Sequence, residues 1–434
     1  MEFFLQNIEF FVFVFILTTF LYLKRKQLDV QGSIPKFYVL LFKTQFGLKQ
    51  MRNWSKQRPS IFNFLAYLSI FIGVVGIFAI IPFLIYQLWF MFQNNIGSAG
   101  GFALPLAGSV CSNPLVFCIP FWYWLIALFV LVVVHEFAHG VIAQRYGIKI
   151  KSSGLAFFGS THLIGAIFLL IIYFNYSWAQ IIALDPSFIT TLLVGIVLMF
   201  LPIMPGAFVE PDDKQMAKKP KWQQIAVLGA GSTSNFLFGL LFFLILLFAA
   251  APFQSAYTTE ELYFTTNSNQ SDLNTYNISQ GKIISVDGIE GANNIFNNFL
   301  NLSSNQTILF DIEREGIVES FSIKTFESEQ DPSRGLIGIN LAVESVPLEG
   351  AEFLGTISQM IFKLFFWLFV LNISIGAINL LPLWITDGGK IAYLLFQYKF
   401  SEKTSLSLYN FVSIISLIML LVSLFPQIVF SIFG

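Results

Sequence analysis

Apolar runs dominate the chain, and most are long enough to cross a bilayer. Eight stand out, at about residues 3–23, 61–93, 119–144, 161–175, 186–204, 226–252, 354–381 and 405–432. A membrane-spanning helix needs about 20 consecutive apolar residues. The pattern therefore predicts a multi-pass α-helical membrane protein with about eight segments. The fourth run is short and the fifth contains Pro202, so that pair also reads as a re-entrant hairpin.

One stretch breaks the pattern. Residues 256–345 are polar, rich in Asn and Ser, and acidic. Within them "GKIISVDG" (281–288) alternates like a strand and ends in an Asp-Gly turn. "NNIFNNFLN" (293–301) spaces its apolar residues as a helix does. "TILFDIEREGIVESFSIKT" (307–325) predicts two strands around Gly316, and "RGLIGINLAV" (334–343) a further strand. The expectation is one small α+β domain set into a helical membrane protein. The chain then divides into four regions: 1–118 with the first membrane segments, 119–252 as the first part of a membrane core, 253–350 as the inserted domain, and 351–434 as the second part of the core.

Composition strengthens this reading. Apolar residues make up 56% of the chain and charged ones only 11%, against about 25% charged in a soluble domain. The net charge of −1 argues against a nucleic-acid partner. The placement of charge matters more than its sum. Lys24, Arg25, Lys26, Lys36, Lys43, Lys49, Arg52, Lys56 and Arg58 lie between the first two runs; Arg145, Lys149 and Lys151 come after the third. Further clusters precede the sixth run and separate the last two. Alternating sides from an external N-terminus puts all of them in the cytosol, as the positive-inside rule demands. The loop 253–352, with 15 acidic and four basic residues, then falls outside. The first run has its basic cluster after it, unlike a cleavable signal peptide. The basic, amphipathic stretch 35–58 is expected on the anionic inner membrane surface. Cys111 and Cys118 share an external loop, where a disulfide and two unpaired thiols are both open readings.

The chemistry begins at "VVVHEFAHGV" (132–141). From Phe121 to Val134 no residue is charged, yet His135, Glu136 and His139 come directly after. Residues four apart on a helix lie about 6 Å apart along its axis, on nearly the same face, so both imidazoles can reach one ion. Glu136 between them can take a proton from a metal-activated water. This is the sense of His-Glu-x-x-His: two Zn2+ ligands and a general base. An ionisable side chain at membrane depth costs about 2.5–3.5 kcal/mol even on lenient scales, which favours a functional reason for carrying one.

A catalytic zinc needs a third protein ligand. The candidates are His162, Asp185, Glu210 and Asp387. Asp185 falls in a predicted external turn, Glu210 adjoins a charged cytosolic run, and His162 opens a segment. Asp387 ends the seventh run on the cytosolic side, at a depth matching His139. Topology selects Asp387.

Together "HEFAH", "LPIMPGAFVE" and "NLLPLWITDGG" resemble the site-2 proteases, intramembrane zinc metalloproteases. In that family Asn-x-x-Pro-x-x-x-x-Asp-Gly supplies the third ligand, and Asn379, Pro382, Asp387 and Gly388 stand at those positions. The residue before the aspartate is often Leu; here it is Thr386, expected to leave the ligand undisturbed. The resemblance implies that Asn379 holds the substrate backbone. It implies that Gly206, Ala207 and Phe208 belong to an extended stretch beside the site, able to pair with an unwound substrate. "GAGSTSNF" (229–236) matches a family pattern in which Gly231 allows close packing and Asn235 faces the site. The inserted domain resembles a PDZ domain, although no Gly-Leu-Gly-Phe-type carboxylate-binding loop precedes Gly281. The partners implied are the bilayer and transmembrane substrates, trimmed beforehand by another protease. The alternative is a non-enzymatic metal-binding membrane scaffold or transporter.

Overall fold

Between Arg25 and Thr44 the chain turns back on itself as a pair of strands, so a sheet joins the helices from the start. The structure is a computed structural model. It describes residues 5–33, 37–93, 102–105, 116–159, 172, 177–183, 188–189, 192, 204–266, 271–276, 278–314, 316–327 and 333–424. Helix α1 (Ile8–Leu23) leads into strands β1 (Leu28–Ser33) and β2 (Phe37–Thr44). A short amphipathic helix α2 (Leu48–Gln57) precedes α3 (Pro59–Gln93), and α4 (Phe121–Arg145) carries the HEFAH motif. Strands β3 (Ile150–Gly159) and β4 (Met204–Pro211) come next, then α5 (Lys221–Ile245). Helix α5 continues through a π-helical turn to Tyr257, giving 37 residues of apolar helix.

The four strands form one antiparallel sheet in the order β1–β2–β3–β4. This refines the expectation for residues 35–58: about a third of that stretch is strand β2, paired with Ser153–Gly159, and only α2 is amphipathic helix. Strand β4 contains the predicted extended stretch and stands at the end of the sheet, with Ala207 opposite Leu155 and Phe208 opposite Gly154. Among the described residues one of its edges has no strand partner.

Contacts divide the chain into two compact units, Met1–Phe243 with Phe366–Gly434, and Leu244–Phe365. The second unit holds β5 (Thr258–Thr266), β6 (Gln280–Val286), α6 (Ala292–Leu300), β7 (Thr307–Arg314), β8 (Ile317–Lys324) and β9 (Ile339–Pro347). The antiparallel order is β8–β7–β6–β5–β9. The predicted strand, helix and hairpin stand within a residue or two of expectation, with Gly316 at positive φ in the turn. The last strand lies later than predicted, at 339–347 instead of 334–343. Its partner β5 is not among the predicted strands: nine residue pairs join the two, from Thr258 with Pro347 to Thr266 with Ile339. Alternation packs Leu262, Phe264, Ile283, Phe310 and Ile312 into the core with Ile295 of α6. Strand β5 is hydrogen-bonded on both edges, to β6 and β9.

Helices α7 (Glu352–Ile378), α8 (Asp387–Phe396) and α9 (Glu402–Leu424) complete the described chain. Among the described residues five helices are long and apolar enough to cross a membrane: α3, α4, α5 with its extension, α7 and α9. At 25 residues, α4 reaches about 37 Å against a hydrocarbon core of about 30 Å. Helix α1 is apolar but has 16 residues. The predicted segments 161–175 and 186–204 lie almost wholly outside the described residues, as do His162 and Asp185. Cys118 is disulfide-bonded; the other cysteine of the sequence, Cys111, is outside them.

Candidate metal centre

The helical repeat does for His135 and His139 what the sequence requires. Their Nε2 atoms lie 3.1 Å apart. The loop after α7 brings a third group to the same point: Asp387 Oδ2 is 3.3 Å from His135 Nε2 and 3.1 Å from His139 Nε2. Four ligands on a tetrahedron with bonds of about 2.0–2.1 Å stand roughly 3.3–3.4 Å from one another. Three protein atoms at 3.1–3.3 Å stand at separations that would suit three ligands of one such ion. Among the described residues this is the one group of three or more such side chains close enough to hold a metal ion.

Donor chemistry agrees with the distances. The Nδ1–H of His139 donates to the carbonyl of Val227, 2.6 Å away on α5. That bond fixes the tautomer and leaves the Nε2 lone pair for a cation. His135 Nδ1 lies 3.2 Å from the side-chain amide of Asn235, whose Oδ1 has no protein partner as it stands. Turning that amide through 180° presents Oδ1 to Nδ1–H, which frees Nε2 of His135 in the same way. Two imidazole lone pairs and a carboxylate oxygen then face one another with no hydrogen between them. A metal cation would satisfy all three atoms at once, and the residues present fit one.

Helix α5 can cross this close because of Gly231. A Cβ there would overlap His135 Cε1 and Nε2 and His139 Nε2. The crossing is fastened by Ser234 Oγ, which donates to the Val134 carbonyl at 3.1 Å. The family resemblance implies a packing role for Gly231 and a place facing the site, among the substrate-binding residues, for Asn235. The structure puts both against the imidazoles, and Asn235 is fully buried.

Glu136 points elsewhere. Its Oε2 accepts the Val209 backbone N–H at 2.9 Å, while the side chain remains within electrostatic reach of His135, His139 and Asp387. Val209 belongs to β4, and a strand's successive N–H groups alternate in direction. The edge that offers Val209 N–H to Glu136 is the one turned away from β3, and Ala207 faces the same way. Gly206, Ala207 and Phe208 thus line a strand whose open edge abuts the Glu136 carboxylate. Glu210, a rejected third-ligand candidate, accepts from Ser152 Oγ at 2.7 Å and sits 3.7 Å from Lys43 Nζ, away from the cluster.

Asp387 owes its position to the sharp loop Asn379–Thr386. Gly388 N–H donates to the Asn379 carbonyl at 2.8 Å. A Cβ on Gly388 or Gly389 would overlap the backbone carbonyls of Leu380 or Leu383, which is why the aspartate is followed by two glycines. Thr386 does more than leave the ligand undisturbed. Buried at 5% exposure, it is the N-cap of α8, accepting from Gly389 N–H at 3.2 Å and donating to the Leu381 carbonyl. Losing such a cap costs about 1 kcal/mol, and weakened support for a ligand costs about 10–100-fold in metal affinity. Thr386→Val is therefore expected to bind the metal roughly tenfold more weakly, with Thr386→Ser restoring the wild-type value in a chelator competition. Equal affinity for the valine and wild-type proteins would remove Thr386 from the support of Asp387. Asn379 is half-buried at the end of α7, and among the described residues its side-chain amide has no protein partner.

Neither the Val227 carbonyl nor the Val209 N–H is foreseeable from sequence, since backbone groups leave no trace in residue type. The family model described as Peptidase family M50 matches residues 123–423. No curated protein matches the chain.

Proposed function

The chain belongs to peptidase family M50, the site-2 protease family, and on that premise we propose that it is an intramembrane zinc endopeptidase. It hydrolyses a peptide bond within or near a transmembrane segment of a membrane-anchored protein. The observation that carries this reading is the convergence of His135, His139 and Asp387, beside Glu136, at the end of an apolar 25-residue helix. The family and the five apolar helices make the chain an integral membrane protein.

His135, His139 and Asp387 would hold the zinc, which when bound would supply Lewis acidity to a water and to the scissile carbonyl. Glu136 takes the proton of the attacking water at the carboxylate oxygen that Val209 does not hold. It delivers that proton to the amine nitrogen as the C–N bond breaks. A helical substrate hides its peptide bonds, so it must unwind before it is cut. The open edge of β4 offers the N–H and C=O of Ala207 to an extended chain, with Gly206 and Phe208 flanking the contact. The free amide of Asn379 holds the substrate backbone, and Asn235 acts through His135.

The fuller topology is part of the same reading. It has eight membrane segments, with the N-terminus and the inserted domain 253–350 extracytoplasmic and the site toward the cytosol. The Lys and Arg distribution and the acidic 253–352 loop support it. The second unit is PDZ-like in its strand, helix, hairpin order, and substrates arrive already shortened by another protease.

The test uses purified protein in lipid bilayers with single-span reporter substrates, one with a full and one with a shortened ectodomain. Mass spectrometry is expected to place the cut inside the span or within a few residues of it, in the shortened reporter. Cleavage confined to soluble parts of either reporter overturns the proposal.

A further inference from the structure

Helix α2 sits in an unusual place for a basic helix. Its buried face, with Met51 and Ser55 at 3% and 2% exposure, is turned to α4 within the HEFAHG stretch itself. Met51 packs against Gly140, beside the Val209 side chain. Trp54 meets Phe137 edge to face, ring centroids 5.1 Å apart. Phe137 and Gly140 lie five to eight residues before the Arg145 end of α4, which is about 8–12 Å inside it. The interface level is marked near that end by an aromatic cluster in which Trp222 stacks on Tyr67 and meets Tyr146 edge-on, as aromatic belts do.

Three cations are carried on the exposed side of α2. Lys49, Arg52 and Lys56 recur at i, i+3 and i+7 and form one exposed stripe on α2. Arg58 comes next, directly before the span Pro59–Gln93. Among the described residues none of the four is paired with a carboxylate. The neighbouring surface is apolar, with Phe46 at 86% and Trp54 at 53% exposure. Exposed cations without a protein carboxylate, beside an apolar surface and packed on an apolar helix, are what anionic lipid headgroups attract.

We propose that α2 is a docking surface for anionic phospholipid headgroups, seated on the back of the helix that carries His135, Glu136 and His139. The phosphates engage Lys49, Arg52 and Lys56, while Phe46 and Trp54 lie among the upper acyl chains. The helix is thereby held against Phe137 and Gly140. Each cation near an anionic surface strengthens association about fivefold, so the stripe gives a preference on the order of 100-fold.

The test is spectroscopic and does not depend on peptidase activity. Full-length protein with Asn53→Cys, carrying a nitroxide, is placed in nanodiscs of zwitterionic lipid to which anionic lipid is added stepwise. The nitroxide is expected to slow and to lose contact with a water-soluble relaxation agent as anionic lipid rises. The Lys49→Gln/Arg52→Gln/Lys56→Gln variant is expected to give the zwitterionic spectrum throughout. Identical spectra in both lipids, or an unchanged response in the triple variant, overturns the proposal. So does inorganic phosphate reproducing the change in zwitterionic discs, which would assign the site to a free anion. None of these outcomes bears on whether the metal centre cuts peptides.

Discussion

Glu136→Gln is expected to lower the cleavage rate by about 100-fold or more while the metal stays in place. The two halves of that statement rest on different contacts. The ligand set is complete without Glu136, since the three converging atoms come from His135, His139 and Asp387. Glutamine keeps the side-chain volume, and its Oε1 can still accept the Val209 N–H that the carboxylate accepts now. The local packing of α4 against β4 therefore survives. What is lost is the group that can take a proton from water and return it to an amine, a contribution of typically 10²–10⁴-fold. Single-turnover cleavage of a shortened reporter and metal per chain, measured on the same preparation, check both halves. Near wild-type cleavage by the glutamine protein would remove Glu136 from the chemistry and favour a metal-binding scaffold. Loss of metal would instead show that the carboxylate belongs to the site's structure.

The centre is legible in the sequence for a simple reason: its spacing is covalent. His135 and His139 are a helical turn apart whatever the rest of the chain does. Asp387, some 250 residues on, can be found because membrane depth acts as a coordinate that a sequence does carry. Long-range strand pairing has no such coordinate. Phe42 pairs with Leu155, and Leu262 with Val343, so neither the four-stranded sheet nor β5 announces itself. Residues 37–44, apolar and ending in Lys43 and Thr44, read as a membrane-surface segment because β2 is an interior strand of its sheet and lacks a clean polar alternation. The groups that hold the ligands are hidden differently. Val227 acts through its carbonyl, and Thr386 through a cap that only the loop geometry creates. Gly231 acts by having no side chain at all.

That last residue carries the second large effect. Gly231→Ala adds one methyl group, and on an exposed helix such a change is mildly stabilising. Here the Cβ overlaps His135 Nε2 and His139 Nε2, the two nitrogens that would hold a metal. Relief would require α5 to retreat from α4. Retreat is opposed at two points: the Val227 carbonyl accepts from His139 Nδ1 at 2.6 Å, and Ser234 Oγ donates to the Val134 carbonyl at 3.1 Å. Either the methyl displaces the imidazoles, or the helix moves and the His139 tautomer is no longer fixed. Both routes damage the same site. Overpacking a core costs roughly 1–3 kcal/mol, and the loss of a ligand's hydrogen-bond partner alone costs about 10–100-fold in metal affinity. Together they predict a drop of about 100-fold or more in affinity, with cleavage falling in parallel. Far-UV circular dichroism is expected to stay at the wild-type value, because alanine is the better helix former. A Gly231→Ala protein with full helicity, one metal per chain and normal cleavage would mean that α5 does not cross over the imidazoles as closely as the site requires.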